Sequence, residues 1–242
     1  MNEESIPQTA GEVEKSLQKL RNKRGYLLPH HGLLAISSPN LLDAYDAMYT
    51  HMTLTDRVLS LYEKEVVWLI ILVSTSEAIA THHIDRLRRS GGGEIDLEAA
   101  IAAAAWANGA EYYKFVDQNW APHLKNFNGV EKYREGLKTL IKKYDIDQKI
   151  FEIGLAAAHQ CQRRWDWVAE HIIGAYKSGA EEGAIAEGLA LAMFPGGVPN
   201  FVDACDVWRK LIQKEKVAAS PPYKAWASLT GQGGFDEAAG KK

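Results

Sequence analysis

The sequence has little cysteine, little proline, no long apolar run and no excess of one charge. Its 242 residues include two cysteines, Cys161 and Cys205, without a Cys-x-x-Cys or Cys-x-His spacing. That excludes a disulfide framework and a thiolate zinc site. Thiols of this kind belong to a reducing compartment, and the acidic start Met1-Asn2-Glu3-Glu4-Ser5 does not read as a secretory signal, so a cytoplasmic protein is expected. The longest apolar run, residues 66–73, has eight residues. A membrane span needs roughly 18, so no membrane partner is expected. Lys and Arg number 28 against 31 Asp and Glu, and the net charge of -3 creates no field for nucleic acid.

What is present is helix-forming sequence. Only eight prolines interrupt a chain that is 46% hydrophobic, with alanine-rich stretches such as residues 99–105. Helices are predicted over 11–24, after Ser38-Pro39 with Leu41, Leu42, Tyr45 and Met48 on one face, and over 95–107, 130–144, 148–178, 181–193 and 201–214. Residues 66–73 suit a fully buried helix better than a strand, because Glu63-Lys64-Glu65 lead in without a turn signal. Ser74-Thr75-Ser76-Glu77 has the form of a capping box, which predicts a new helix from 75 to 90 ended by Gly91-Gly92-Gly93. Residues 25–32 read as a loop carrying an exposed His30-His31, and 218–242 as a flexible C-terminal tail.

The chain also resembles itself. His83-Ile84 and Gly91 align with His171-Ile172 and Gly179 at an offset of 88 residues, and Glu94, Ile101, Ala104 and Trp106 fall opposite Glu182, Leu189, Ala192 and Phe194. Glu65 precedes His83 by 18 residues and Glu152 precedes His171 by 19. The expected organisation is an N-terminal arm (1–24), a first repeat (25–125), a second repeat (126–217) and the tail, with the two repeats packed as one unit.

Four segments carry a further likeness: Arg24-Gly25-Tyr26-Leu27-Leu28-Pro29, Glu63-Lys64-Glu65-Val66-Val67-Trp68-Leu69, His82-His83 followed by Gly91 and Glu94-Ile95, and Trp165-Asp166-Trp167-Val168-Ala169-Glu170-His171. In order and spacing, over residues 24–212, they resemble the carboxymuconolactone decarboxylase and alkylhydroperoxidase-D-like superfamily. The resemblance implies an all-α, alkylhydroperoxidase-D-like helical bundle of two tandem repeats. It also implies cofactor independence and a homo-oligomer, a trimer or hexamer, with sites completed across subunits. The family's peroxidase branch carries Cys-x-x-Cys-x-x-x-His. Here Ser76 and Ile79 stand at the thiol positions before His83, and Arg164 and Trp167 before His171, so thiol-based peroxide reduction is not expected unless Cys161, ten residues before His171, takes over the role.

An acid, a histidine and polar neighbours are equipment for proton transfer. Nineteen residues of straight helix would hold an acid and histidine about 28 Å apart. A turn at 74–77 lets Glu65 fold back toward His83; no comparable break is visible between Glu152 and His171, which would then find partners in another repeat or subunit. Glu65, His83 and His171 are the candidate catalytic residues. Ser76, His82, Glu152, Arg164 and Trp167 are the candidate substrate-binding residues, with Ser76, Ile79 and His83 sharing a helix face and Arg164 suited to grip a carboxylate. Adjacent His82 and His83 point about 100° apart, so one of them faces the site. No histidine pair has metal-ligand spacing on one face, and neither a metal nor a cofactor is expected. The resemblance implies a lyase that decarboxylates a small carboxylated lactone or related metabolite. An isomerase or hydrolase using the same Glu/His pair, and a non-catalytic oligomeric binding protein, remain open. Plainer readings stand beside these: Glu65 and Glu152 as buried acids paired with arginine, Arg164 as a solvated neighbour of Arg163.

Overall fold

The computed structural model describes residues 6–234, which are helical without strands. In chain order the helices are α1 (Ala10–Arg24), α2 (Pro29–Ser37), α3 (Pro39–Tyr49), α4 (Leu61–Ser74), α5 (His82–Arg89), α6 (Glu94–Asn108) and α7 (Ala110–Asn119). They continue with α8 (Gly129–Tyr144), α9 (Gln148–Cys161), α10 (Trp165–Lys177), α11 (Glu182–Leu191), the single turn α12 (Met193–Gly196), α13 (Val198–Gln213) and α14 (Pro221–Ser228). No helix among the described residues is long and apolar enough to cross a membrane.

Local chemistry sets the ends. Thr9 and Glu12 form a capping box at the start of α1, and Gly25 closes that helix in the left-handed region at φ 83°. The box that starts α4 is Ser60 with Glu63, and α4 ends at Ser74. Every residue from Lys64 to Leu72 is buried, as is the run from Ile150 to Gln160 on α9. These two helices form the centre of the molecule, α4 against α5, α6 and α9, and α9 against α10 and α11. A Cβ at Gly154 would lie 2.5 Å from Ile70 Cδ1, so glycine allows the two central helices to touch. Helices α1 to α3 have their own small core of Leu20, Ala35 and Leu42.

Several expectations change. The run 66–73 is helix, as read, and is buried as far as Leu72, with Val73 exposed. Ser74 to Glu77 does not start a helix; it ends α4, with the Glu77 amide donating to Leu72 O and Ser76 at φ 57°. A left-handed serine performs the closure that glycine usually signals. Residues 148–178 are two helices, because Arg163 at φ 58° and the Arg164 amide bonding to His159 O end α9 in the same way. Residues 29–32 begin α2 rather than continuing a loop, and His31 is fully buried. On α3 the inward side carries Leu42 and Tyr49, while Leu41 and Met48 are exposed. Helix α7 has no counterpart in the sequence reading. The C-terminal stretch is docked over α14, where Tyr223 and Trp226 pack on Trp208 and Ala227 is buried; residues 235–242 lie outside the described residues.

Candidate active site

The turn after α4 sends the chain back along itself and brings Glu65 and His83 together. Glu65 Oε2 and His83 Nδ1 are hydrogen-bonded at 2.6 Å, and each side chain is 2% exposed. The far ring nitrogen, His83 Nε2, lies 3.3 Å from the Tyr49 hydroxyl. His82 Nε2 reaches the same hydroxyl at 3.3 Å. Both histidines therefore serve one centre, contrary to the expectation that their 100° separation admits one. His82 opens α5, where its ring stacks on Tyr26 at 4.0 Å, while His83 lies under Trp68 at 4.6 Å. Arg86, three residues beyond His83, donates from Nη1 to Tyr49 Oη at 2.7 Å and from Nη2 to Tyr26 Oη at 3.1 Å.

These groups open on a cavity of about 510 Å³ whose walls are aromatic: Tyr26, Tyr45, Tyr49, Trp68 and Phe194, with His30, His82 and His83 among them. Phe194 comes from α12, in the second half of the chain, and sits 5.3 Å from Tyr49 and 6.0 Å from Trp68. Among the described residues Glu77 is the one carboxylate in this lining, and no lysine or arginine side chain joins it. Behind the pair, Glu65 and Arg86 line a smaller cavity of about 200 Å³ with the buried Thr53 and with Ser90. The histidine of the pair thus faces the aromatic cavity and the acid faces the smaller one.

Burial dominates the electrostatics. It raises the Glu65 carboxyl well above the ordinary carboxylate range against the opposing pull of Arg86, and it pushes His83 well below the ordinary histidine value. His82 is pushed down to about 3, first by burial and then by His83 and Arg86. The centre holds neutral imidazoles and a proton-retaining acid. A chain of hydrogen-bond contacts links Glu65 through His83 to the Tyr49 hydroxyl.

A second centre is built in the same way and is closed. Glu152 on α9 and His171 on α10 are hydrogen-bonded at 2.7 Å, and His171 Nε2 meets the Tyr133 hydroxyl at 2.8 Å. The break at 162–164 allows this pairing inside one half of the chain, where the sequence suggested a partner elsewhere. Arg134 Nη1 contacts both oxygens of Glu152, at 2.6 and 2.8 Å. Burial raises Glu152, but His171 and Arg134 together more than reverse it and hold the acid below its usual range. His171 is completely buried, and its surroundings are filled by Trp167, 4.6 Å from Tyr133, and by His159, 5.3 Å from His171. Trp106 from α6 stacks on Tyr133 at 6.0 Å. Each half of the chain therefore lends an aromatic ring to the other's centre, Trp106 one way and Phe194 the other.

Of the residues singled out from sequence, Glu65, His82 and His83 come together at the open cavity. Ser76 is exposed in the turn after α4 and does not join them, because the helix expected to carry it starts six residues later. Arg164 donates from Nη1 to Ala107 O at 3.0 Å at the end of α6 and lines a separate cavity with Lys114 and Asp166, away from Glu65 and His83. Glu152, Trp167 and His171 are walled into the closed centre. His30, expected in solvent, lines the open cavity. Tyr26, Tyr49, Trp68 and Arg86 were missed; the available signal was Arg86 one helical turn after His83, and the Tyr45/Tyr49 spacing of four. Among the described residues no three histidine, cysteine or acidic side chains form a group that would hold a metal ion.

Compared with known proteins, the chain matches no family model, no curated protein and no solved structure.

Proposed function

We propose that the protein is a cofactor-independent lyase that moves a proton at Glu65 and His83 and acts on a small carboxylated ring metabolite, in a manner similar to carboxymuconolactone decarboxylase. One observation carries this reading: His83, hydrogen-bonded at 2.6 Å to the buried Glu65, lines an aromatic cavity of about 510 Å³. Loss of CO2 from the carbon beside a carbonyl breaks the carbon–carbon bond and leaves its electron pair shared between carbon and the carbonyl oxygen. The Tyr26 and Tyr49 hydroxyls, polarised by Arg86, suit that oxygen. His83 returns a proton to carbon, and Glu65, which burial keeps protonated, replaces it. The cavity behind Glu65 gives the acid a route to solvent protons. The matched Glu–His pairs and the aromatic rings exchanged between halves support reading the chain as two tandem repeats with the first one active.

A second reading has its own support. Among the described residues no lysine or arginine side chain lines the cavity. An uncharged ring ketone isomerised through its enolate would use the same relay without a carboxylate to accommodate. The test follows CO2 release from carboxylated lactones and β-keto acids, and deuterium uptake into uncharged ring ketones, for wild type beside His83→Ala and His171→Ala. The lyase reading expects stoichiometric CO2, lost in His83→Ala and retained in folded His171→Ala. Deuterium uptake without CO2 selects the isomerase. Neither signal from any substrate overturns both.

A further inference from the structure

The half-buried guanidinium of Arg86 has no carboxylate in ion-pair range among the described residues; its hydrogen bonds go to two tyrosine hydroxyls. Its neighbours do not neutralise it. Arg24, which lies over the Tyr49 ring at 4.4 Å, is matched by Asp46 at 2.6 Å. Glu65 carries its hydrogen bond to His83. A buried charge without a partner is costly, and proteins retain one chiefly where a ligand supplies the missing charge.

We propose that the cavity is a site for a planar ring bearing an anionic oxygen, an enolate or phenolate, which is received by the Tyr26 and Tyr49 hydroxyls with Arg86 behind them. The guanidinium fork donates to both hydroxyl oxygens, at 2.7 and 3.1 Å, which makes each phenolic O–H a stronger donor than an unassisted tyrosine; the contacts these hydroxyls otherwise make, Tyr26 Oη to Tyr49 Oη at 3.5 Å and Tyr49 Oη to His82 Nε2 and His83 Nε2 at 3.3 Å, are long ones that an anionic oxygen in the cavity would displace. The walls fit the ring. The stacked Tyr26–His82 pair lies on one side, and Trp68 and Phe194 lie 6.0 Å apart in the same lining. Because the cation acts through hydroxyls, the site selects an oxyanion that is part of a flat apolar body over a compact hydrated anion. Arg86 is a positioning residue here, and the tyrosines make the contact.

The inference rests on the open cavity being the substrate site, and binding tests it without turnover. The probes are 4-nitrophenolate, followed by its visible absorbance, and 4-nitroanisole, the same ring without the charge. Wild type is expected to bind the phenolate at least about tenfold more tightly than the ether. Arg86→Gln is expected to erase that preference while changing ether binding by less than about twofold, a split that a merely structural role would not give. Tyr49→Phe is expected to weaken the phenolate alone. Equal affinity of wild type for both probes overturns the inference, and this comparison needs no variant to fold. In His83→Ala, retained phenolate preference with lost turnover supports both readings. Preference without turnover on any substrate sinks the proposed reaction and keeps the binding site; turnover without preference does the reverse.

Discussion

Replacing Arg134 by methionine is the sharpest test of why the second centre is closed. Arg134 reaches both oxygens of Glu152, at 2.6 and 2.8 Å, and Glu170 at 2.8 Å, while Glu152 is 1% exposed. Methionine keeps much of the packing volume and leaves the carboxylate buried with a neutral histidine. Breaking a buried pair from one side costs about 3–5 kcal/mol, and the partial exposure of Arg134 argues for the lower end, about 3 kcal/mol. In a chain of this size that corresponds to a fall in melting temperature of about 6–12 °C. Arg89→Met, which removes an exposed pair with Asp85, is the control and is expected to cost under about 0.5 kcal/mol.

The pH dependence adds a sign. Glu152 is held below its ordinary range, so its stabilisation is present above the unfolded carboxylate value and is lost as pH falls through the folded one. Without Arg134 burial raises the folded value, so acidification protonates Glu152 and relieves the variant while wild type is losing the stabilisation of its carboxylate. The gap between the two narrows on further acidification, once Glu152 is protonated in both. Urea titrations across pH measure this directly. Adding Glu152→Gln to Arg134→Met is expected to recover part of the loss, because the uncompensated charge is gone. A cost below about 1 kcal/mol at neutral pH, or a gap that persists in acid, would refute the argument.

The open centre predicts the opposite slope. Glu65 is raised, so between its unfolded and folded values the native state keeps a proton that the unfolded chain has released, and stability falls as pH rises. Thermal melts should show Glu65→Gln gaining on wild type with increasing pH through that window; a gain independent of pH contradicts the assignment. His83, pushed down, acts in the other sense below the ordinary histidine value, so the comparison belongs above it. For the cysteines, burial pushes Cys161 up to about 12 and Cys205 up to about 11. Both should react with a thiol reagent at neutral pH only after unfolding. Rapid labelling of native Cys161 would return thiol chemistry to consideration.

The sequence allowed the helical class, the central buried helix and the folding back of Glu65 on His83 to be read, because apolar content and an acid–histidine spacing are local signals. The two turns that make the pairings were misread for one shared reason. Ser76 and Arg163 close α4 and α9 in the left-handed region, and neither is the glycine or asparagine that announces such a turn. One consequence was a helix begun too early, which put Ser76 on the face of His83. The other was a helix run too long, which separated Glu152 from His171. Tyr49, Arg86 and Phe194 were out of reach for a different reason: their roles come from contacts between elements far apart in the chain, which no spacing encodes.

The difference between the two centres follows from those turns. At the offset of 88, Ile79 corresponds to Trp167. In the first half the chain from 75 to 81 stays outside any helix and Ile79 remains at the cavity lining, 56% exposed. In the second half the helix starts at Trp165, and the next turn drives Trp167 onto Tyr133 with 3% exposure. His159 occupies the remaining space beside His171. Arg134 then fixes Glu152 as a carboxylate, whereas Arg86 gives its donors to two tyrosines and leaves Glu65 to burial. The same acid–histidine pair is thereby a carboxylate locked to arginine beside a neutral histidine in one half and a proton-holding pair beside a cavity in the other. A helix that begins later and an arginine turned toward hydroxyls account for the contrast between them.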